Sequence, residues 1–219
     1  MNRRLSELTG TLKDVVYPES ALCLCCGTIT QGAPVCEACY LELTGNDTPF
    51  VWQHTETDGI SVWSLRAHRG AARSLVHSLK YSAVACAARV IAECLAPVPD
   101  DFSLPPGTVV TWVPMPDTRL LERCIDHGRI LAETFARYFG LPSEQLLERG
   151  NDHAHTQEGL NLAQRTRNLE KAYAPLHPVN SPVLLADDVL TTGTTVKRCV
   201  KALREAGAEK ITVLTVTKA

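Results

Sequence analysis

The sequence predicts an α/β fold with a mainly parallel sheet, preceded by a small cysteine-bearing module at the N-terminus. Short apolar runs typical of buried strands alternate with stretches of helical periodicity from residue 60 onwards, as in folds whose parallel strands are joined by helices. One such run, Val183 to Ala186, leads directly into two aspartates and a threonine-rich turn. Two Cys-x-x-Cys pairs lie within residues 23–39. We therefore expect an N-terminal helix and cysteine module over residues 1–45 and an α/β domain over residues 46–219.

The composition is that of an ordinary globular protein and narrows the classes of function. The 219 residues carry a formal net charge of -2, so overall basicity does not indicate a nucleic-acid-binding protein. No apolar run approaches the length that spans a membrane, and the basic start at Arg3 and Arg4 is not followed by a signal-peptide core. We therefore expect a cytoplasmic protein without a membrane partner, a compartment in which its nine cysteines rarely form disulfides.

The N-terminal part of the chain, over residues 1–45, is predicted to begin with an amphipathic helix over residues 1–17. Leu5, Leu8 and Leu12 fall on one face of it, and Pro18 ends it. We expect this apolar face to pack on the domain.

Four cysteines have the spacing of a zinc site. Cys23 and Cys26 form one pair and Cys36 and Cys39 a second, so four thiolates can surround Zn²⁺ tetrahedrally. A closed shell of thiolates predicts a structural zinc, not a catalytic one. Cys25 competes for the place of Cys23 or Cys26. The alternatives are a pair of disulfides, disfavoured by the compartment, and a redox Cys-x-x-Cys, disfavoured by the lack of a surrounding βαβ pattern.

The middle of the chain is predicted to alternate between strands and helices. Residues 44–59 are polar turn material that links the two units, and residues 149–168 form a polar loop leading into a short helix. The cysteines outside the module are expected to be small buried side chains of helices; these are Cys86, Cys94, Cys124 and Cys199. The predicted strands and helices are a strand over 60–65, helices over 69–79 and 83–95, a strand over 109–113 and a mostly helical stretch over 119–139.

The stretch from Pro182 to Val196 carries the clearest chemical signal. The apolar run predicts a buried strand, and Asp187 and Asp188 stand at its carboxyl end, where open α/β sheets place their ligands. The turn that follows opens a helix, whose unpaired N–H groups and dipole form a site for phosphate. Carboxylates beside a phosphate site suit ribose 5-phosphate with a divalent metal. The turn consists of Thr191, Thr192, Gly193, Thr194 and Thr195.

This stretch resembles the phosphoribosyl pyrophosphate (PRPP) motif of type I phosphoribosyltransferases. The resemblance implies a sheet of that kind, with Asp187 and Asp188 on the ribose hydroxyls and Mg²⁺, and with the following loop on the 5-phosphate. One alternative is a strand–turn–helix in which the same residues serve only as turn and cap. A second is a Mg²⁺ site of the nucleotide-hydrolase kind, but no Gly-x-x-x-x-Gly-Lys-Ser/Thr accompanies it.

Further landmarks make the chain similar to the ComF/GntX family, which is associated with DNA uptake in competent bacteria. They include the two cysteine pairs, Leu79-Lys80-Tyr81, Val113-Pro-Met-Pro116, Thr156-Gln157-x-Gly159-Leu160, Arg165, Asn168 and Tyr173. The family usually has Arg-Gly-aromatic-Asn-Gln at the start of its long helix. Here the run is Arg123-Cys124-Ile125-Asp126-His127, which puts transferase activity or its usual substrate contacts in question.

Two functions follow. The first is Mg²⁺-dependent transfer of ribose 5-phosphate from PRPP to an acceptor, with Asp187, Asp188 and Lys80 as the catalytic candidates. Lys80 would face the pyrophosphate, or else be a solvated surface lysine; Arg123, Arg149 and Arg165 are further candidates. The second is a non-catalytic accessory factor for DNA uptake that binds a protein or single-stranded DNA. Sparse aromatic residues and the absence of a Lys/Arg run do not support direct DNA binding.

Overall fold

A five-stranded sheet lies at the centre of the protein. The computed structural model describes residues 22–45, 52–57, 59–150 and 172–219. The described strands are β1 (Gln53–Thr57), β2 (Ile60–Ala67), β3 (Val109–Trp112), β4 (Leu147–Arg149), β5 (Tyr173–Pro175), β6 (Val183–Leu190) and β7 (Ile211–Lys218). The sheet has the order β1-β2-β7-β6-β3; β1 is antiparallel to β2, and the other neighbours are parallel. The predicted mainly parallel sheet is therefore confirmed.

Helices cover both faces of this sheet. Leu184 and Ala186 of β6 belong to one core, whereas Val183 and Leu185 belong to the other, because successive side chains of a strand point to opposite faces. A strand buried on both faces must be apolar throughout, which is why this run was recognisable in the sequence. The described helices are α1 (Glu37–Thr44), α2 (Gly70–Tyr81), α3 (Val84–Glu93), α4 (Asp117–Arg123), α5 (His127–Phe139) and α6 (Thr194–Glu205).

Two stretches differ from the sequence prediction. The link expected over residues 44–59 contains strand β1, which lies at the edge of the sheet, where Gln53, His54 and Glu56 are exposed. The helical stretch over 119–139 is two helices, because Cys124 adopts a left-handed conformation with φ 57° that ends α4. Asp126 then caps α5 by accepting a hydrogen bond from the Arg129 N–H at 3.0 Å. Of the cysteines outside the module, Cys94 and Cys199 are buried as expected, whereas Cys86 is half-buried and Cys124 is exposed.

The cysteine module packs against the main sheet and its helices. Cys23, Val35, Cys39 and Leu43 are buried in the same core as α2 and β2, and the Arg66 guanidinium of β2 donates to the Leu43 carbonyl at 2.6 Å. The boundary at residue 45 stays a prediction. The predicted helix over 1–17, Arg165 and most of the loop over 149–168 lie outside the described residues.

Candidate functional site

A polar cleft opens at the carboxyl end of β6, where β3 leaves the sheet. Strand β3 pairs with β6 only as far as Trp112 opposite Ala186, whereas β7 follows β6 to Leu190. The acidic pair therefore lies beside an opening of about 320 Å³. Four cationic side chains and two carboxylates line it, which suits a ligand with several negative charges. These side chains are Lys80, Arg119, Arg123, Arg149, Asp187 and Asp188.

The two aspartates of the cleft have different electrostatic environments. Asp188 binds Lys80 Nζ through Oδ1 at 2.9 Å and His127 Nε2 through Oδ2 at 3.0 Å. Burial alone would raise the pKa of Asp188, but the His127 hydrogen bond and the charge of Lys80 outweigh it and lower the pKa. Oδ1 of Asp187 accepts the Asp188 backbone N–H at 2.9 Å. Burial, helped by the charge of Asp188, raises the pKa of Asp187 to about 7. Asp187 is thus the acid that most favours a proton or an added cation.

His127 connects Asp188 to an arginine and a tyrosine. Its Nδ1 lies 3.3 Å from an Nη of Arg123. Because a guanidinium only donates, Nδ1 must accept, and the ring proton then sits on Nε2, which donates to Asp188. The other Nη of Arg123 donates to the Tyr81 hydroxyl at 3.0 Å, with the guanidinium 4.6 Å from the centre of the ring. This chain of contacts fixes the orientation of the Asp188 carboxylate.

The threonine turn precedes helix α6 as predicted. Gly193 holds φ 72° in the position before the first helical residue, a conformation that favours glycine. Thr191 and Thr195 line the cleft together with the acidic pair. Thr192 and Gly193 line a neighbouring pocket of about 260 Å³, and Thr194, which lines neither, has its hydroxyl 3.0 Å from that of Thr192. The structure thus brings Lys80, Asp187, Asp188, Thr191 and Thr195 into one cleft, with the rest of the turn beside it.

His127 and Tyr173, for which the sequence predicted no role at the site, both line the cleft. The Tyr173 hydroxyl accepts a hydrogen bond from the Arg149 guanidinium at 3.4 Å, across the small sheet formed by β4 and β5. The three-residue length of these strands gave no recognisable period. For His127 the available signal was its place directly after Asp126, a residue type that caps helices.

The four predicted cysteines form a second candidate site. The Sγ atoms of Cys23, Cys26, Cys36 and Cys39 all lie within 4.8 Å of one another, and those of Cys26 and Cys36 are 3.6 Å apart. A tetrahedral zinc with four sulfur ligands at about 2.3 Å requires sulfur separations of about 3.8 Å. The donor set and its spacing therefore fit Zn²⁺. Among the described residues, these four form the candidate metal cluster.

Cys25 differs from the four clustered cysteines. Burial, followed by the charge of Cys23, raises the pKa of the Cys25 thiol to about 12. Burial also raises the pKa of Cys23, but backbone N–H groups of Cys26, Cys36 and Cys25 outweigh this and lower it to about 6. Cys23 belongs to the cluster of sulfur atoms within 4.8 Å of one another, whereas Cys25 does not, so the structure favours Cys23 over Cys25 as the ligand.

Known proteins resemble this chain over part of its length. Residues 126–219 match the phosphoribosyl transferase domain family. The chain is 31% identical over 105 residues to Competence protein F of Haemophilus influenzae, a match that covers 46% of each protein. It therefore spans about half the length of this relative. None of the described helices combines the length and apolar character needed to cross a bilayer.

Two solved structures are similar at low identity. One is described as the allosteric regulatory enzyme of purine biosynthesis, with 21% identity and a TM-score of 0.41 over 81% of this chain and 30% of that one. The other is adenine phosphoribosyltransferase from Leishmania tarentolae, with 14% identity and a TM-score of 0.36 over 68% of this chain and 76% of that one.

Proposed function

We propose that the protein binds PRPP with Mg²⁺ and transfers ribose 5-phosphate to an acceptor, and the match of residues 126–219 to the phosphoribosyl transferase domain family supports this proposal. The observation that carries the proposal is the cleft at the end of β6, in which an acidic pair and two threonines of a helix-opening turn face several cationic side chains. PRPP offers the matching groups: sugar hydroxyls, a phosphate and a pyrophosphate.

The cleft suggests roles for its acidic pair, for the threonine turn and for two of its cationic side chains. Asp187 and Asp188 would accept hydrogen bonds from the ribose hydroxyls. The turn from Thr191 to Thr195 would hold the 5-phosphate with backbone N–H groups and hydroxyls at the start of α6. Lys80 and Arg123 would hold the pyrophosphate, because charge-assisted hydrogen bonds to phosphate oxygens are stronger than those to neutral groups. The ion pair between Lys80 and Asp188 would then be exchanged for contacts to the ligand.

The acidic pair fits Mg²⁺ that arrives with the ligand. Protein sites for Mg²⁺ often supply one or two carboxylates and leave the other positions to water and substrate phosphates. Lys80 and His127 contact Asp188, whereas the raised pKa of Asp187 marks a carboxylate that a cation would favour in its charged form. Bound there, Mg²⁺ would offset charge on the pyrophosphate.

The transfer breaks the bond between C1 of the ribose and the pyrophosphate oxygen and forms a bond from C1 to the acceptor. Positive charge develops on the sugar as the pyrophosphate leaves, by analogy with glycosyl chemistry. The residues of this chain would hold the sugar in place through Asp187 and Asp188 and stabilise the departing oxygens through Lys80 and Arg123. The cationic lining of the cleft suits that second task.

Thermal unfolding with Mg²⁺ and PRPP tests the binding step. A ligand at about a hundred times its Kd adds roughly 2.7 kcal/mol to the unfolding free energy. Wild type should shift, and the double variant Asp187→Asn with Asp188→Asn should not. The matched control is Asp100→Asn with Asp101→Asn, which alters an exposed pair of aspartates outside the cleft and should shift like wild type. The absence of a shift in wild type at millimolar PRPP would contradict the proposal.

A second candidate function is a non-catalytic accessory role in DNA uptake. The identity to Competence protein F favours it, as does the departure at Cys124 to His127 from the run usual in the ComF/GntX family. In this role the cleft would bind PRPP without turnover, and the cysteine module would contact a protein or single-stranded DNA. Pyrophosphate release in the presence of a panel of nucleobases separates the two functions: release supports the transferase, and tight PRPP binding without release supports the accessory role.

The cysteine module completes the proposal. One structural Zn²⁺ per chain would be held by Cys23, Cys26, Cys36 and Cys39. The protein would act in the cytoplasm, where thiolates stay reduced and PRPP is made.

A further inference from the structure

Helix α2, which carries Lys80, is held near both ends by the cysteine module. At its start, the side chain of Arg69 does not cap the helix; instead Oε1 of Glu42 accepts a hydrogen bond from the Ala71 backbone N–H at 2.9 Å. Near its end, the buried hydroxyl of Ser78 donates to the Leu24 carbonyl at 2.9 Å. Two hydrogen bonds from one module thus fix the helix at positions seven residues apart in sequence.

The contact at the start of α2 depends on a glycine. A Cβ atom on Gly70 would lie 1.9 Å from Oε1 of Glu42, and Gly70 also has φ +49°. Only a residue without a side chain lets the carboxylate come this close. A negative charge at the N-terminus of a helix is stabilised by the unpaired N–H groups and by the helix dipole. Glu42 therefore serves as the cap that α2 lacks in its own sequence.

The two contacts come from the two segments of the module that carry different cysteine pairs. Leu24 lies between Cys23 and Cys26, whereas Glu42 lies on α1, three residues after Cys39. A metal bound by both cysteine pairs would fix the separation of these segments. It would thereby fix the position of α2, whose residues Leu75 and Leu79 pack in the same core as Cys23 and Cys39.

The consequence for the cleft follows from the position of Lys80, two residues after Ser78. Its ammonium reaches Asp188 at 2.9 Å, and a helix rises about 1.5 Å per residue, so a shift of α2 by one residue would carry the ammonium out of hydrogen-bond distance unless the side chain changed its conformation. We propose that Glu42 and Ser78 are positioning residues that hold α2 where Lys80 reaches Asp188 and, in the proposed function on which this inference rests, the pyrophosphate of PRPP. The cysteine module then positions one of the cationic side chains of the cleft.

The first experiment measures how accessible the amine of Lys80 is to a reagent in the absence of any ligand. Zinc-loaded protein is acylated briefly with acetic anhydride, and mass spectrometry gives the labelling of Lys80 relative to exposed Lys210. In the variant Glu42→Ala with Ser78→Ala, the amine of Lys80 should be acetylated on the order of fivefold faster, because the ion pair that protects it is no longer held in place. The matched control, Glu37→Ala with Ser74→Ala, changes the same residue types on the same two helices and should label like wild type.

The second experiment measures the affinity for Mg²⁺ and PRPP by calorimetry, with the zinc content of each sample determined in parallel. The double variant should bind Mg²⁺ and PRPP on the order of fivefold more weakly than wild type while keeping one zinc per chain. The single variant Glu42→Gln should remain close to wild type, because its amide oxygen can still accept from Ala71. A merely structural contribution would change thermal stability without this pattern of rescue.

The outcomes separate the two proposals. Faster labelling of Lys80 with weaker PRPP binding supports the positioning role. Unchanged labelling of Lys80 in the double variant overturns it, whatever the ligand data show. If wild type fails to bind Mg²⁺ and PRPP, the proposed function is wrong, and the labelling experiment still decides whether Glu42 and Ser78 position Lys80.

Discussion

Replacing Asp187 with asparagine is expected to stabilise the ligand-free protein, increasingly so as the pH rises. Burial, with the charge of Asp188, raises the pKa of Asp187 from 3.8 to about 7. Because the folded pKa is above the unfolded one, the stability gained from the protonated carboxyl is full below about pH 4 and is lost as the pH rises through about 7. About three pH units at about 1.4 kcal/mol each give a cost of at most about 4 kcal/mol above pH 7. Asp187→Asn removes this cost.

The assay is urea unfolding of zinc-loaded protein without Mg²⁺ or PRPP, between pH 5.5 and 8. The advantage of Asp187→Asn over wild type should grow by about 2 kcal/mol across this range. Asp188→Asn is the internal comparison. Its folded pKa is lowered by His127 and Lys80, so its replacement should destabilise the protein throughout the range. The loss should be smaller at pH 8, because removing the charge of Asp188 also relieves the repulsion on ionised Asp187. An advantage of Asp187→Asn that stays constant with pH, or a loss of stability at pH 8, would refute the reasoning.

Three further predictions concern single positions. His127→Gln keeps an N–H donor for Asp188 and should bind PRPP nearly as wild type does in calorimetry, whereas His127→Leu should bind about tenfold more weakly; equal affinities would exclude a role for this contact. Cys23→Ser should reduce the zinc content measured with a chromogenic chelator, and Cys25→Ser should not; the reverse result would assign the ligand place of Cys23 to Cys25. Gly193→Ala should lower the urea unfolding free energy by about 1 kcal/mol, because φ 72° is strained for alanine, and an unchanged value would contradict this.

The parts of the site that follow from local sequence could be predicted. Val183 to Ala186 had to be apolar because β6 is buried on both faces, and the acidic pair at its end lies at the edge where such sheets bind ligands. The four cysteines were recognisable because ligand spacing is set within two short turns. Helix α6 was recognisable from its apolar period, since Val196, Val200 and Leu203 all face one core.

The parts that depend on distant contacts could not be predicted. His127 reaches Asp188 across 61 positions in the sequence, and its place at the start of α5 depends on the left-handed Cys124. No sequence pattern marks a carboxylate such as Glu42 that caps a different helix. Strand β1 was missed because an edge strand with polar side chains has the composition of a turn.

The positions of the three tryptophans give the protein two separate optical reporters. Trp52 and Trp63 are buried 6.2 Å apart beside Phe102, on the side of the sheet that receives the cysteine module. The third, Trp112, donates its indole N–H to Oδ2 of Asp126 at 3.1 Å, directly before His127. Its fluorescence is therefore sensitive to charge and movement at the start of α5, next to the cleft. A Trp112→Phe variant subtracts that signal, so events at the cleft and unfolding of the core can be followed separately in one unlabelled sample.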